Sequence, residues 1–269
     1  MNSFTVTSGI LSFSRNRDLL NSLVARDIEA RYRGTALGFL WVVIYPLTML
    51  SVYAFVFGGV FNSRWGGSGE MKDFLVMLYC GLIVHAVFSE TLTRSPSAIL
   101  SSPSYVKKVV FPLELLPLCH LASSAFNALI GIALICLFLL IQQQAIPLTA
   151  ALFPVVLLPL LMLTAGLAWI LAAIGVFFRD VGQLIGVVMS ALLFLSPVFY
   201  PTSSAPYAAQ RFISLNPLTF PIEQLRGVLI LGQQPNWQHW LVYLAVATLI
   251  AVSGLWLFQK SRPAFADVI

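Results

Sequence analysis

The sequence predicts an all-α polytopic membrane protein: six transmembrane helices, an N-terminal amphipathic interfacial helix, and re-entrant helices between spans five and six. Three observations predict it. Of 269 residues, 59% are hydrophobic and only 9% are charged, against about 25% in an average soluble domain. The mean hydropathy is +0.89. The few charges are spaced so that the apolar runs between them can cross a bilayer core, which takes about 20 helical residues. So sparse a charged surface excludes a cytosolic enzyme, a disordered chain and a disulfide scaffold. The runs are continuous rather than alternating, which argues against an outer-membrane barrel.

No cleavable signal peptide is expected, because residues 1–14 are polar and small, with no basic start and no apolar centre. Residues 15–33 read as an amphipathic helix. Leu19, Leu20, Leu23, Val24 and Ile28 recur at helical spacing among Arg15, Arg17, Arg26, Asp27, Glu29, Arg31 and Arg33. Ser14 or Asn16 suits its start and Gly34 its end. Such a helix lies in the headgroup plane with its basic side toward anionic lipid; a solvated helix that only sets topology is the alternative.

The gaps between charges place the spans. Residues 34–63 carry no charge and hold the first, at 36–60. The interval from Asp73 to Glu90 holds a short second, at 73–92. The long gap from Glu114 to Arg179 holds two, at 115–140 and 149–177, with a turn at Gln142-Gln143-Gln144 and Pro147. The fifth is expected at 181–199 and the last at 237–258, after Arg226. Eleven basic residues (Arg15, Arg17, Arg26, Arg31, Arg33, Arg94, Lys107, Lys108, Arg179, Lys260, Arg262) fall on the side of both termini. Four (Arg64, Lys72, Arg211, Arg226) fall on the other. Positive charge stays inside, so both termini are expected in the cytoplasm.

Two connections are more than plain loops. In 93–113, on the cytoplasmic side, Ser95-Pro96 and Ser102-Pro103 each read as a cap followed by proline at the first helical position. Two short helices across the membrane face fit this pattern, and so does a simple topology loop. Segment 200–236, outside, is apolar yet broken by prolines 201, 206, 217, 221 and 235. That combination suits re-entrant half-helices, since irregular backbone at membrane depth is tolerated only against protein or water. Interfacial helices on the outer leaflet are the alternative. Glu223 and Arg226, three apart, are placed to pair.

The chemistry of an engine is missing. The four lysines follow Met71, Val106, Lys107 and Gln259, so no Gly-Lys phosphate loop exists. Glu90, Glu114, Asp180 and Glu223 sit at span ends rather than mid-span, where ion coupling would place them. His85 and His120 are expected as packing residues, and Cys80, Cys119 and Cys136 as small hydrophobes. No catalytic constellation and no metal cluster is visible. The net charge of +5 is not gathered into a nucleic-acid patch. What remains is a conduit whose energy arrives from elsewhere.

Aromatics mark where a conduit would run. Trp41 and Tyr45 are four apart, as are Tyr53, Phe57 and Phe61, on a face of the first span, and Phe194 and Phe199 belong to the fifth. Aromatic belts at the membrane interface are the common alternative, and Trp237, Trp240 and Trp256 are assigned to one. A ring face can also pack on the apolar side of a sugar without a fixed hydrogen-bond register, which a sliding polymer would need.

The run Arg26-Asp27-Ile28-Glu29-Ala30-Arg31-Tyr32-Arg33-Gly34-Thr35-Ala36-Leu37-Gly38-Phe39-Leu40-Trp41, followed by Tyr45-Pro46-Leu47, closely resembles the opening of polysaccharide-export permeases. These are the transmembrane subunits of type-2 ABC transporters for O-antigen, capsule or teichoic acid. Lys108-Val109-Val110-Phe111-Pro112-Leu113-Glu114, Phe178-Arg179-Asp180-Val181, Ser196-Pro197-Val198-Phe199-Tyr200-Pro201 and Asn216-Pro217-Leu218-Thr219 continue the resemblance in order. It implies a permease in the bacterial inner membrane, a homodimer working with two copies of a cytoplasmic ABC ATPase on an undecaprenyl-linked polysaccharide. ATP and Mg would be held by the ATPase, with no cofactor and no catalysis in this chain. It implies conduit residues Trp41, Tyr45, Tyr53, Phe57, Phe194 and Phe199. ATPase-coupling residues would be Arg31, Arg33, Ser95, Ser102, Tyr105, Lys107 and Lys108, and an external gate would hold Tyr200, Asn216, Glu223 and Arg226. A type-2 ABC permease for drugs or lipids shares the architecture; an ion-coupled carrier would need a mid-span acid, and a membrane enzyme a carboxylate or metal cluster.

Overall fold

The computed structural model describes residues 16–60, 71–106, 111–142 and 145–268, and these are helical with no strand among them. Ser14, Arg15, Phe61, Arg64, Lys107, Lys108, Gln143 and Gln144 lie outside the described residues.

Helix α1 (Arg17–Tyr32) stops where Gly34 takes φ 81°, a left-handed turn that glycine adopts without strain. At its start the Asn16 carbonyl accepts from Leu20 N–H, and the Asn16 side chain makes no capping bond. Part of its apolar face is covered by protein. Leu23 is buried against Leu115 and Cys119, with Leu19, Leu20 and Val24 at the margin.

Among the described residues, five helical stretches are long and apolar enough to cross a membrane: Gly38–Val60, Met71–Ser97, Leu115–Ile141, Leu148–Phe177 and Trp237–Phe265. The first contains α2 (Trp41–Tyr53), which continues as a π-helical turn over Ala54–Val60. Pro46 interrupts the α2 hydrogen-bond ladder. Of α2 and the π turn, only Val42 and Gly58 are buried, so this span is loosely held. By contrast α3 (Met71–Arg94), α5 (Leu115–Ile141) and α6 (Phe153–Phe177) supply most of the core. Between α3 and α5 lies the four-residue α4 (Pro103–Val106). Asp73 in the first turn of α3 and Arg94 in its last complement the helix dipole. Thr91 and Ser124 join α3 to α5 through their hydroxyls at 2.8 Å, a polar contact of the kind that fastens helices in a bilayer.

The expected fifth span, 181–199, contains a shorter helix, α7 (Val181–Leu195), of 15 residues, about 22 Å at 1.5 Å per residue. It ends at Ser196, just before Pro197, whose missing N–H cannot extend the ladder. The last helix, α10 (Trp237–Val268), overruns its expected end at 258 and carries Pro263 within it.

The backbones of α6 and α10 touch. A Cβ on Gly166 would stand 2.6 Å from the Ile250 carbonyl oxygen, and one on Gly254 would stand 2.2 Å from that of Gly166. Only glycine permits that approach, the small-residue crossing typical of membrane helices. Beyond α7, α8 (Tyr207–Leu215) is largely exposed, whereas α9 (Thr219–Leu229) buries Ile222, Leu225, Val228 and Leu229. The latter packs on α3 and α6.

Candidate functional site

Three of the six conduit candidates, Trp41, Tyr45 and Tyr53, border one cavity of about 680 Å³ among α1, α2, α3, α5 and α7. Its α2 wall is aromatic. Polar groups also line the cavity, among them His85, Ser89 and Asn127, and so do Arg31 and Glu90. Trp41 is 39% and Tyr45 61% exposed. Phe57, Phe194 and Phe199 lie apart from the cavity and form a stack. Phe199 is its hub, 4.6 Å from Phe57, 5.5 Å from Phe194 and 5.4 Å from Tyr53 between ring centres. Tyr53 therefore belongs to both groups. The stack joins the end of the first span to the segment after α7. Phe199 itself is buried, whereas Phe194 is exposed and Phe57 and Tyr53 are half-buried.

The histidines pack as expected. His85 bonds the Met189 carbonyl through Nε2 at 3.1 Å, which ties α3 to α7, and its Nδ1 lies 3.5 Å from Ser89 Oγ. On α5, His120 has Nδ1 3.7 Å from the Asp27 carboxylate.

That carboxylate belongs to a charge lattice not anticipated from the sequence. Arg94 grips Asp27 with both guanidinium NH₂ groups, one at 3.0 Å and the other closer. Arg31 pairs with Glu90. Within the helices, Arg31 lies 3.5 Å from Asp27, and Arg94 3.8 Å from Glu90. Two acid–base pairs at i,i+4 spacing, one on α1 and one on α3, thus mate with the helices running in opposite senses. Burial of Asp27 favours its protonated form, but the hydrogen bonds and charge of Arg94 outweigh this, so its carboxyl is held below the ordinary 3.8. The sequence signal was present as Asp27…Arg31 and Glu90…Arg94; only the fold brings them together. Arg33 is exposed at the end of α1.

Segment 93–113 is tethered at several points. Its two Ser-Pro signals start a 3₁₀ turn at Ser95–Ser97 and then α4. Ser95 is wholly buried and donates to the Thr91 carbonyl at 2.7 Å, so it holds the segment and offers no docking surface. Pro96 packs on Gly175 of α6, where a Cβ would meet its carbonyl oxygen at 2.2 Å. The Ser102 carbonyl accepts from Tyr105 N–H at 3.0 Å. The Tyr105 ring stacks on Phe111 at 4.2 Å, with the Arg26 guanidinium of α1 5.7 Å away. Arg262 of α10 donates to the Phe111 carbonyl at 2.8 Å and lies 3.5 Å from the buried Glu114 carboxylate. Trp169 donates to the Glu114 carbonyl at 3.0 Å.

On the opposite side, Arg226 is buried and donates to three backbone carbonyls: Met77 at 2.9 Å, Pro197 at 2.7 Å and Val198 at 3.0 Å. Glu223 is exposed and accepts a hydrogen bond from Thr202. Arg226 shares the inner face of α9 with Ile222 and Leu229, while Glu223, three residues before it, is exposed. Asn216 donates to Ser196 Oγ at 3.0 Å and to the Leu195 carbonyl at 3.3 Å, while its own carbonyl accepts from Leu218 N–H. Tyr200 donates to the Phe194 carbonyl at 3.2 Å. Three of these four candidates thus clasp the segment that carries Phe199, and Glu223 secures the turn after it.

Residues 18–230 match the family described as ABC-2 type transporter. An O-antigen export system permease protein RfbA of Myxococcus xanthus is 29% identical over 255 residues, covering 94% of this chain and 96% of the relative. A protein of the same name from Klebsiella pneumoniae is 25% identical over 94% of this chain and 95% of its own length. The polysialic acid transport protein KpsM of Escherichia coli is 26% identical over 94% and 96%.

Proposed function

The chain belongs to the ABC-2 type transporter family of membrane proteins, and from that premise we propose that it is the permease subunit of an ATP-driven exporter of lipid-linked polysaccharide, O-antigen foremost. The observation that carries this reading is the cavity lined by Trp41, Tyr45 and Tyr53 together with polar side chains, His85, Ser89 and Asn127 among them. Aromatic faces tolerate the apolar side of a sugar, and the polar groups suit its hydroxyls. The names of the relatives from three genera point the same way.

In this reading two copies of the chain form the pathway in the bacterial inner membrane, with α7 and the residues after it serving as the short fifth of six spans. Both termini are cytoplasmic, as the basic residues require. ATP and Mg belong to two copies of a separate ATPase subunit, which docks under 93–113 and acts through the tethers on Tyr105, Phe111 and Glu114. Segment 200–236 re-enters the membrane as an outer gate. The cargo carries an undecaprenyl lipid, whose apolar chain stays in the bilayer while the glycan enters the cavity.

The deciding experiment deletes the gene and measures surface polysaccharide. Loss of surface polymer, with lipid-linked polymer accumulating inside the cell, is expected. Unchanged surface polymer together with sensitivity to drugs or altered lipid distribution would assign the permease to the drug or lipid exporters of the same architecture.

A further inference from the structure

Arg31 and Glu90 pair in the lining of the aromatic cavity, the first from α1 and the second from α3. Each also has an opposite charge one turn away on its own helix: Asp27 for Arg31 and Arg94 for Glu90. We propose that the Arg31–Glu90 pair is a gate on the transport path, closed in this structure, which opens when the end of α1 moves away from α3. The inference rests on the reading of the cavity as part of that path.

The physical argument concerns what is left behind on opening. Separating a desolvated ion pair is ordinarily costly because each partner keeps an uncompensated charge. Here each helix takes away a neutral pair. Asp27 can turn from Arg94 to Arg31, and Glu90 from Arg31 to Arg94, so cross-helix pairs are exchanged for pairs within each helix. Both arrangements are satisfied, the condition for a two-state element rather than a fixed strut. The pivot is also present. Gly34, at φ 81°, ends α1 next to Arg31, while Leu23 keeps the middle of the helix seated on Leu115 and Cys119. Arg26, on the same helix, reaches the Tyr105 ring of segment 93–113, so motion of that segment bears on α1.

Charge exchange tests this in the complete transporter, with surface polymer as readout and ATPase co-purification as the control for assembly. The double variant Arg31→Glu/Glu90→Arg keeps the cross-helix pair but puts two acids on α1 and two bases on α3 at i,i+4 spacing. Those like charges cost more in the open arrangement, where no cross-helix partner offsets them, than in the closed one, so export falls about tenfold while the complex assembles. Adding Asp27→Arg and Arg94→Glu restores opposite charges both across and within the helices, and export returns. A strut that only holds α1 would be repaired by the double exchange alone. Export by the double variant at the unsubstituted level overturns the gate, and so does a fourfold variant that assembles but exports no better than the double. Should either variant fail to assemble, Arg31→Cys/Glu90→Cys treated with a reducible bis-thiosulfonate cross-linker long enough to span the pair decides: export must stop once the link forms and return on reduction, and export unchanged by the link overturns the gate. Absence of polymer export by the unsubstituted transporter would instead remove the polysaccharide reading.

Discussion

Phe57 and Phe199 lie face to face, 4.6 Å between ring centres and 18° between planes. The first sits in the π turn that ends the first span and the second just after Pro197, where α7 has stopped. Both positions are breaks in regular helix, and the stack joins them. Arg226 and Asn216 hold the same segment from the other side, through the Pro197 and Val198 carbonyls and through Ser196. Phe199 is thus fixed between an aromatic neighbour and a polar clasp.

Phe199→Ala is expected to lower thermal stability in detergent by an amount corresponding to about 3–5 kcal/mol, the usual cost of deleting a buried phenylalanine. Phe194→Ala, at a side chain 63% exposed, should leave the melting temperature nearly unchanged while reducing export. Equal destabilisation by the two substitutions would contradict the hub assignment.

Trp41→Ala and Tyr45→Ala should each reduce surface polymer while dimer and ATPase assembly persist, because both side chains border the cavity and neither is buried. Quantitative blotting of surface polymer beside co-purification of the ATPase measures both effects. Normal polymer in both variants would remove the aromatic wall from the conduit.

Arg226→Met is expected to strand carbonyls that the guanidinium now satisfies, at about 1–3 kcal/mol for each buried acceptor left unpaired. Arg226→Lys keeps the charge, but its single nitrogen cannot reproduce the planar fork. It should recover only part of the loss. Full recovery by lysine in a thermal-shift measurement would show that charge, not the fork, matters.

At the other end, Tyr105→Ala and Arg262→Ala should preserve folding of the spans but weaken the response of ATP hydrolysis to cargo, since both loosen 103–114 from α1 and α10. Charge reversal at Lys107 and Lys108 should weaken ATPase co-purification itself. Docking and coupling would then separate into two sets of variants. Unchanged cargo-stimulated hydrolysis in Tyr105→Ala would remove the α1 tether from the coupling route.

The Asp27–Arg94 clasp carries a definite pH sign. Its carboxyl is held below 3.8, so its contribution is complete above that value and is lost as pH falls through the lowered one. The seating of α1, followed by protease susceptibility of the N-terminal segment, should be indifferent to pH from neutrality down to mild acidity. A loss of protection near neutrality would contradict an ionised, clasped Asp27.

Much of this was legible in the sequence. Four of the charge-free intervals coincide with helices long and apolar enough to cross a membrane, because the lengths of apolar runs are a property of the chain alone. Gly34 and Ser102-Pro103 marked their boundaries because turn and cap signals are local, whereas Ser95 is no cap: Arg94 precedes the 3₁₀ turn and the Ser95 hydroxyl bonds back to Thr91. The overrun of α10 was not legible, since the helix continues after its apolar run has ended. Nor was the partner of α1: an apolar stripe shows that a face must be covered, not whether lipid or Leu115 covers it. Glu223 and Arg226 were paired by spacing, yet the turn of α9 sends one to Thr202 and the other to carbonyls of α3 and residues 197–198.

By itself the sequence determined the class of protein and the approximate course of its spans, because hydrophobicity and helix capping act over a few neighbouring residues. Scarcity of charge also left the chain without a phosphate loop. Tertiary structure alone decided which scarce charges meet. Asp27 finds Arg94 and Arg31 finds Glu90 because α1 and α3 run in opposite senses at their contact, and Phe57 finds Phe199 because two interrupted helices end side by side. These are long-range encounters whose energies depend on distance and burial, neither of which is written in residue order.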